Sequence, residues 1–495
     1  MKQEGKLQES PEMTSVIDAD PETPKPGLGV SIAIVLFLII AFIIQVVKSG
    51  SPDVHMTLIF ASAFAVVLLL FKGIKLSLIE EGVIHGTKIA TISMMILMFI
   101  GVLIPAWIAA GTIPTLIYYG LQVLSPSIFL VATILICSVS SLCTGTSWGT
   151  AATVGVALMG IGGGLDVPPA MTAGCIVVGA LFGDKLSPLS DTVNLSAGTC
   201  EVNIFAHIKS VLFTTVPAYV ISIVAAIIWG LRWKGGSIND EAIKSILDTI
   251  GANFNITPLY ALISIIPLIF VLTLSIKKVS ALATIVGAGM LGMLIAVLMQ
   301  GYTVTEMMGY MNYGFVIETG NGDVDVLMNR GGLQSMMWTV SIGYLGLSYG
   351  GILEKTGVMG TLLFSIETIT KNARNLITSH TIAGFATIML SASPYVAILI
   401  PGRMFTPGYK KLGIKRTVAS RTCETSGICL DPLLPWTLGG VYYAGVLGVS
   451  PLNYGPYAIM LWIVPVIAIV YAITGLFVWK EDEKDIERDK KIEKI

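Results

Sequence analysis

The stretch GDKLSPLSD (residues 183–191) puts two aspartates, a lysine, two serines and a proline between long apolar runs. The surrounding chain makes those residues costly. Of its 495 residues, 54% are hydrophobic and only 12% charged, and the mean hydropathy is +0.81. Soluble domains carry about 25% charged residues. Apolar runs of about 20 residues, each long enough to cross a bilayer, recur along most of the chain. Lipid leaves only helices and closed barrels as spanning structures, and a barrel would show alternating ten-residue segments instead of continuous runs. The fold class expected is an all-α polytopic membrane protein with about 10–13 transmembrane segments.

The apolar runs are Leu28–Val47, Met56–Phe71, Ile89–Ala109, Ser127–Cys143, Ala170–Phe182, Val211–Leu231, Leu259–Ile276 and Val279–Met299. They resume at Ser335–Leu353, Leu376–Ile400, Thr422–Val449 and Ala458–Val478. The organisation expected is a disordered cytoplasmic tail at 1–27, a first transmembrane half at 28–231, a second at 232–479 and a charged tail at 480–495. The acidic, proline-containing start has no apolar core of a signal peptide.

Basic residues assign sidedness. Lys72, Lys75, Lys88, Lys277 and Lys278 mark two loops, and Arg403, Lys410, Lys411, Lys415, Arg416 and Arg421 mark a third. These loops and both termini are expected in the cytoplasm, with a cell-membrane location. The acidic stretch carrying Glu306, Glu318, Asp323 and Asp325 then faces outside. The Arg403–Arg421 connector reads as a topological anchor before it reads as a lipid-headgroup or pH-sensing surface. A net charge of −1 gives no reason to expect nucleic acid. Six cysteines without paired metal spacing read as small core residues.

The apolar pattern breaks deeply at two places, one per half. TGTSWGT (144–150) is followed by GDKLSPLSDTVNLSAG (183–198); SASPY (391–395) is followed by CETSGICLDPLLPWTLGG (423–440). Asp184 and Asp191 are seven residues apart, as are Glu424 and Asp431. They are nearly alone: Ile89–Cys200 holds one other acid, Asp166, and Ile377–Val478 holds none. On one helix that spacing would stack them about 10 Å apart. Pro188, Gly427 and Pro432 argue for interrupted helices instead. Unwound backbone offers carbonyls to cations, and half-helix N-termini attract anions.

A sodium-like cation wants oxygen ligands. Asp184, Asp191, Thr192, Asn194, Thr144, Thr146 and Ser147 offer them in the first half, and Ser391, Ser393, Glu424, Ser426 and Asp431 in the second. Any one hydroxyl is as readily explained by a bond to its own i−4 carbonyl. The carboxylates are different, because each costs a few kcal/mol at mid-membrane and so marks a pathway or relay. Asp184 also has a structural reading, as a partner of Lys185. The repeated order of breaks is the expected trace of inverted repeats with the site at their interface. Trp148, Trp436 and Tyr395 read as packing or, alternatively, as walls of a solute pocket.

TGTSWGTAATVG, GDKLSPLSDTVNLSA and AHIKSVLFTTVPAYVIS closely resemble the NhaC family of sodium/proton antiporters, to which the malate/lactate sodium antiporters belong. RGGLQSM, YGGILEKTGVMG and LLPWTLGGVYYAGVLGVS extend the resemblance over nearly the whole chain. It implies two inverted repeats, each with a re-entrant hairpin and a discontinuous helix, an elevator-type movement and a homodimer. TGTSWGT and SASPY would be the hairpin tips. The family pattern E-D-S-G-T-x-T-S-P-L-x-P-W-N appears here as ETSGICLDPLLPWT, with Ile428, Asp431 and Thr437 in place of threonine, serine and asparagine.

The function expected is Na+/H+ exchange at mid-membrane carboxylates, with Asp191 and Glu424 carrying it and Asp184 or Asp431 nearby. The alternative is Na+-coupled transport of a small organic anion, malate- or lactate-like, or of an amino acid. Na+, H+ and membrane lipid are the partners implied, with no cofactor. Four histidines outside any paired metal motif, and a TGTSWGT stretch without a phosphate-loop lysine, give no enzyme signal.

Overall fold

The structure, a computed structural model, describes residues 26–49, 53–233, 240–277, 279–367 and 372–481. Lys278 and nearly all of both expected tails lie outside the described residues. Among the described residues the chain is helical throughout, apart from a single antiparallel bridge between Ile414 and Lys480. Eight helices are long and apolar enough to cross a membrane, or nine if Pro451–Tyr457 and Ile459–Thr474, bent by 64°, form one span. Leu333–Lys355, Ala373–Ser391 and Pro394–Lys411 have spanning length but carry more polar residues, and lie outside that number. Large apolar side chains such as Ile43, Phe60, Leu262, Leu294 and Trp338 are exposed on the outside, where hydrocarbon is the matching solvent.

Two helices form the spine of one side of the molecule. Leu76–Ala109 is 34 residues long. At 1.5 Å per residue this is about 50 Å, well beyond a hydrocarbon core of about 30 Å. The expected span at Ile89 is therefore only its apolar portion. The earlier turns carry Glu80, Glu81, His85 and Lys88, and His85 Nε2 lies 3.5 Å from Glu354 Oε1. Leu333–Lys355 packs antiparallel against it, from Gly332 beside Gly101 to Ile352 beside Gly82. The approach at Gly86 is so close that a Cβ there would sit 1.9 Å from the Leu347 carbonyl oxygen.

The other side is built from interrupted helices. Pro126–Thr144 ends at Gly145, whose φ of 72° reverses the chain. A short helix, Ser147–Thr150, then runs through one π turn into Val156–Gly164. Pro169–Leu186 packs on Pro126–Thr144 and stops at Ser187, before Pro188, and the chain restarts as Asp191–Thr199. In the second half Ala373–Ser391 ends at Ala392, left-handed at φ 55°, and Pro394–Lys411 follows. Arg416–Thr425 stops at Ser426, and short pieces from Gly427 to Leu433 lead to Leu438–Leu447. The same succession occurs twice: helix, left-handed residue, helix, then a helix interrupted next to an acid.

Candidate functional site

The interruptions converge. Thr146–Gly149, Asp191–Thr192 and Pro394–Tyr395 each begin a helix, and all three line one cavity of about 260 Å³. Asp184 and Leu181 reach it from Pro169–Leu186, and Ile428, Asp431 and Pro432 from the second interruption. Tyr442 and Tyr443 come from Leu438–Leu447, Ile92, Ser93 and Ile96 from the long helix, and Ala281 and Ile285 from Ala281–Met299. None of the described residues lining it is lysine, arginine or histidine.

The three carboxylates are held differently. Asp184 is buried, and Ser147 Oγ donates to its Oδ2 at 2.7 Å. Its Oδ1 has no hydrogen-bond partner among the described residues. Asp191 is exposed to the cavity at the first turn of its helix; Tyr395 Oη donates to its Oδ2 at 2.8 Å and its Oδ1 accepts from Thr192 N at 2.8 Å. Asp431 is buried, and its Oδ1 accepts from Gly439 N at 3.0 Å, at the start of Leu438–Leu447. Asp191 therefore offsets the start of its own helix and Asp431 the start of Leu438–Leu447, each end carrying about half a positive charge. Asp184 lies in the last turn of its own helix, where the dipole is negative, and has no such compensation. Three carboxylates against helix ends of about +0.5 each leave the cavity net negative.

Glu424 lies elsewhere. It is fully buried, and Lys185 Nζ, also buried, donates to its Oε2 at 2.8 Å and to its backbone carbonyl at 2.7 Å. Ser196 Oγ donates to its Oε1 at 3.1 Å. Lys185 thus pairs with Glu424 across the halves, and not with Asp184.

Of the residues picked from sequence, Asp184, Asp191, Thr192, Thr146, Ser147 and Asp431 line the cavity together. Thr144, Asn194, Ser391, Ser393, Glu424 and Ser426 are outside its lining. Asn194 bonds back to the Pro188 and Ser190 carbonyls, and Ser426 to the Thr422 and Cys423 carbonyls. Ser391 Oγ accepts from Ser393 N at the turn. Trp436 stacks on Phe42 at 4.5 Å and donates to the Met389 carbonyl, so it packs rather than lines. Trp148 does line the cavity, stacked on Tyr442 at 4.4 Å, with Tyr442 Oη donating to the Trp148 carbonyl. Sequence reasoning passed over Ser93, Tyr442 and Tyr443. The only signal for the tyrosines was their place just beyond the second interruption. His207, in the first turn of Ile204–Arg232, is fully buried with Nδ1 2.9 Å from Ser420 Oγ.

The cavity is acidic and lined by residues from both halves, and the relatives of this chain are transporters. A model of the Na+/H+ antiporter family matches residues 179–476. The Na+/H+ antiporter NhaC of Alkalihalophilus pseudofirmus is 34% identical over 455 residues, covering 92% of this chain and 96% of its own length. The chain belongs to the Na+/H+ antiporter family. The malate-2H+/Na+-lactate antiporter of Bacillus subtilis is 33% identical over 93% of this chain and 97% of its own length. The arginine/ornithine antiporter ArcD of Halobacterium salinarum is 31% identical over 96% of this chain and 97% of its own length. The protein is accordingly a membrane antiporter and not an enzyme, one of a family whose members differ in cargo.

Proposed function

We propose that the protein exchanges Na+ for H+ across the cell membrane, with Asp184 as the group that carries either ion. The observation that carries this reading is the Asp184 Oδ1, without a hydrogen-bond partner among the described residues, in a cavity whose described lining has three carboxylates and no basic side chain. A buried carboxylate left short of one partner is relieved by a proton or by a metal cation. One group that accepts either, but not both, gives exchange once it faces the two sides in turn. Ser147, bonded to Asp184, would complete an oxygen shell with water and the other hydroxyls of the lining. Among the described residues no three His, Cys, Asp or Glu side chains are grouped to hold a metal by themselves. The hydroxyls and solvent are therefore part of the proposed shell.

The acidic lining also weighs against an organic anion of the malate or lactate kind, whose carboxylate would need a cationic partner. Glu424, tied to Lys185, is assigned to holding the two interrupted helices together instead of to carrying ions. The doubled succession of turns and interruptions supports two inverted repeats, and we assign the Leu76–Ala109 and Leu333–Lys355 pair to the static side of an elevator-type movement. The cytoplasmic side is proposed to be that of the turn joining Pro394–Lys411 to Arg416–Thr425, since Arg416 and Arg421 are buried in the second helix and do not form a basic connector, with a homodimer as the assembly.

The test is reconstitution of the full chain into liposomes carrying a pH-sensitive dye. Adding Na+ to one side should drive proton flux, and Asp184→Asn should remove it while leaving a monodisperse gel-filtration peak. Wild-type flux in Asp184→Asn would reject Asp184 as the carrier.

A further inference from the structure

The cavity is larger than a sodium ion requires. At about 30 Å³ per water, 260 Å³ holds on the order of eight water molecules. Its chemistry is also divided. One part is the carboxylates with Ser147 and Thr192; the rest is Trp148 stacked on Tyr442, with Tyr443, Ile92, Ile285 and Ile428. A bare or hydrated metal ion gains nothing from aromatic and branched aliphatic walls. An ammonium or guanidinium on an aliphatic body uses both, because carboxylates pair with its head and ring faces attract cations. The unpaired Oδ1 of Asp184, itself only 6% exposed, is an acceptor waiting for a donor.

We propose that the cavity binds and exchanges a small organic cation: an aliphatic amine or guanidine that carries no carboxylate. This rests on the reading above that the cavity is the transport site. The absence of a carboxylate follows from the lining. No described lining residue is basic, the helix starts at Asp191 and Leu438 are occupied by the chain's own Asp191 and Asp431, and Thr146 caps the start at Ser147, which leaves only the start at Pro394, whose first residue has no N–H. An amino acid would bring an anionic group with no cationic side chain and only that one helix start to meet it. The cation would enter as a proton leaves Asp184, so that charge at the carboxylate is conserved.

Arginine and its decarboxylated form, agmatine, differ by the one group in question. Agmatine keeps its guanidinium charge at every accessible pH, which limits passive leakage. The experiment is uptake of labelled agmatine and labelled arginine by proteoliposomes of the full chain under a pH gradient, with protein-free liposomes as blank and unlabelled Na+ as competitor. Saturable agmatine uptake is expected, inhibited competitively by Na+ and lost in Asp184→Asn. Agmatine should be favoured over arginine by at least about tenfold, since unpaired polar groups in a site are strongly rejected. Na+-driven proton flux without agmatine uptake would overturn the inference and leave the Na+/H+ reading standing. Equal or better uptake of arginine would overturn it as well. Absence of flux with both Na+ and agmatine would reject the transport site itself.

Discussion

Asp184 and Lys185 are consecutive, yet their side chains serve different places. Asp184 meets Ser147 at the cavity, whereas Lys185 reaches Glu424 in the protein interior. A helix turns by about 100° per residue, so neighbours at its end can face separate surroundings. The buried pair joins Pro169–Leu186 to Arg416–Thr425, and Ser196 adds Asp191–Thr199 to the junction.

Removing one partner of that pair leaves an uncompensated charge away from water. Lys185→Met and Glu424→Met should each destabilise the fold by about 3–5 kcal/mol, while the double substitution should recover most of the loss. Thermal unfolding of the four proteins in detergent measures the coupling. Single variants melting like the parent would show that the pair contributes nothing to the fold.

Ser147 is the donor that steadies Asp184, at 2.7 Å. Ser147→Ala removes a hydrogen bond to a charged group, worth about 1.5–3 kcal/mol. Cation-dependent proton flux should persist with a KM changed by about tenfold or more. A KM within twofold of the parent would place Ser147 outside the working site.

Some of this was legible in sequence because membrane insertion makes polar residues informative. Asp184, Asp191 and Asp431 stood out as costly, and the prolines and glycines beside them marked interrupted helices; the structure places all three at one cavity. Glu424 was as conspicuous, but a lone carboxylate in a sequence does not show what faces it. Its partner Lys185 lies 239 residues away. Hydroxyls were the least legible. Ser426 bonds its own helix backbone whereas Ser147 bonds Asp184, and spacing does not distinguish the two. The helices Thr112–Val123, Asp240–Asn253 and Val304–Tyr313 were missed because they are short and mixed in composition.

Tyr395 crosses between the halves. Its hydroxyl donates to Asp191, which is otherwise open to the cavity. A cation approaching Asp191 must compete with that donor. Tyr395→Phe should therefore lower the KM for the transported cation, by about tenfold or more for a bond to a charged group worth about 1.5–3 kcal/mol. Proteoliposome flux against cation concentration gives the answer. A raised KM would make the phenol oxygen a ligand of the cation and not its competitor.

Gly86 sets the distance between Leu76–Ala109 and Leu333–Lys355. A methyl there would lie 1.9 Å from the Leu347 carbonyl oxygen and 2.8 Å from Ser348 Cα. Both are backbone atoms, so no side chain can rotate away, and the helices themselves must separate. Overpacking of a close-packed interior costs about 1–3 kcal/mol, occasionally more, and a backbone clash belongs at the upper end. Gly86→Ala should lower the yield of monodisperse protein and its melting temperature. Gly360→Ala supplies the control, because a Cβ at that position meets nothing within 4 Å. If Gly86→Ala melts with Gly360→Ala, the two long helices have slack between them. They would then be poor candidates for the static side of the transporter.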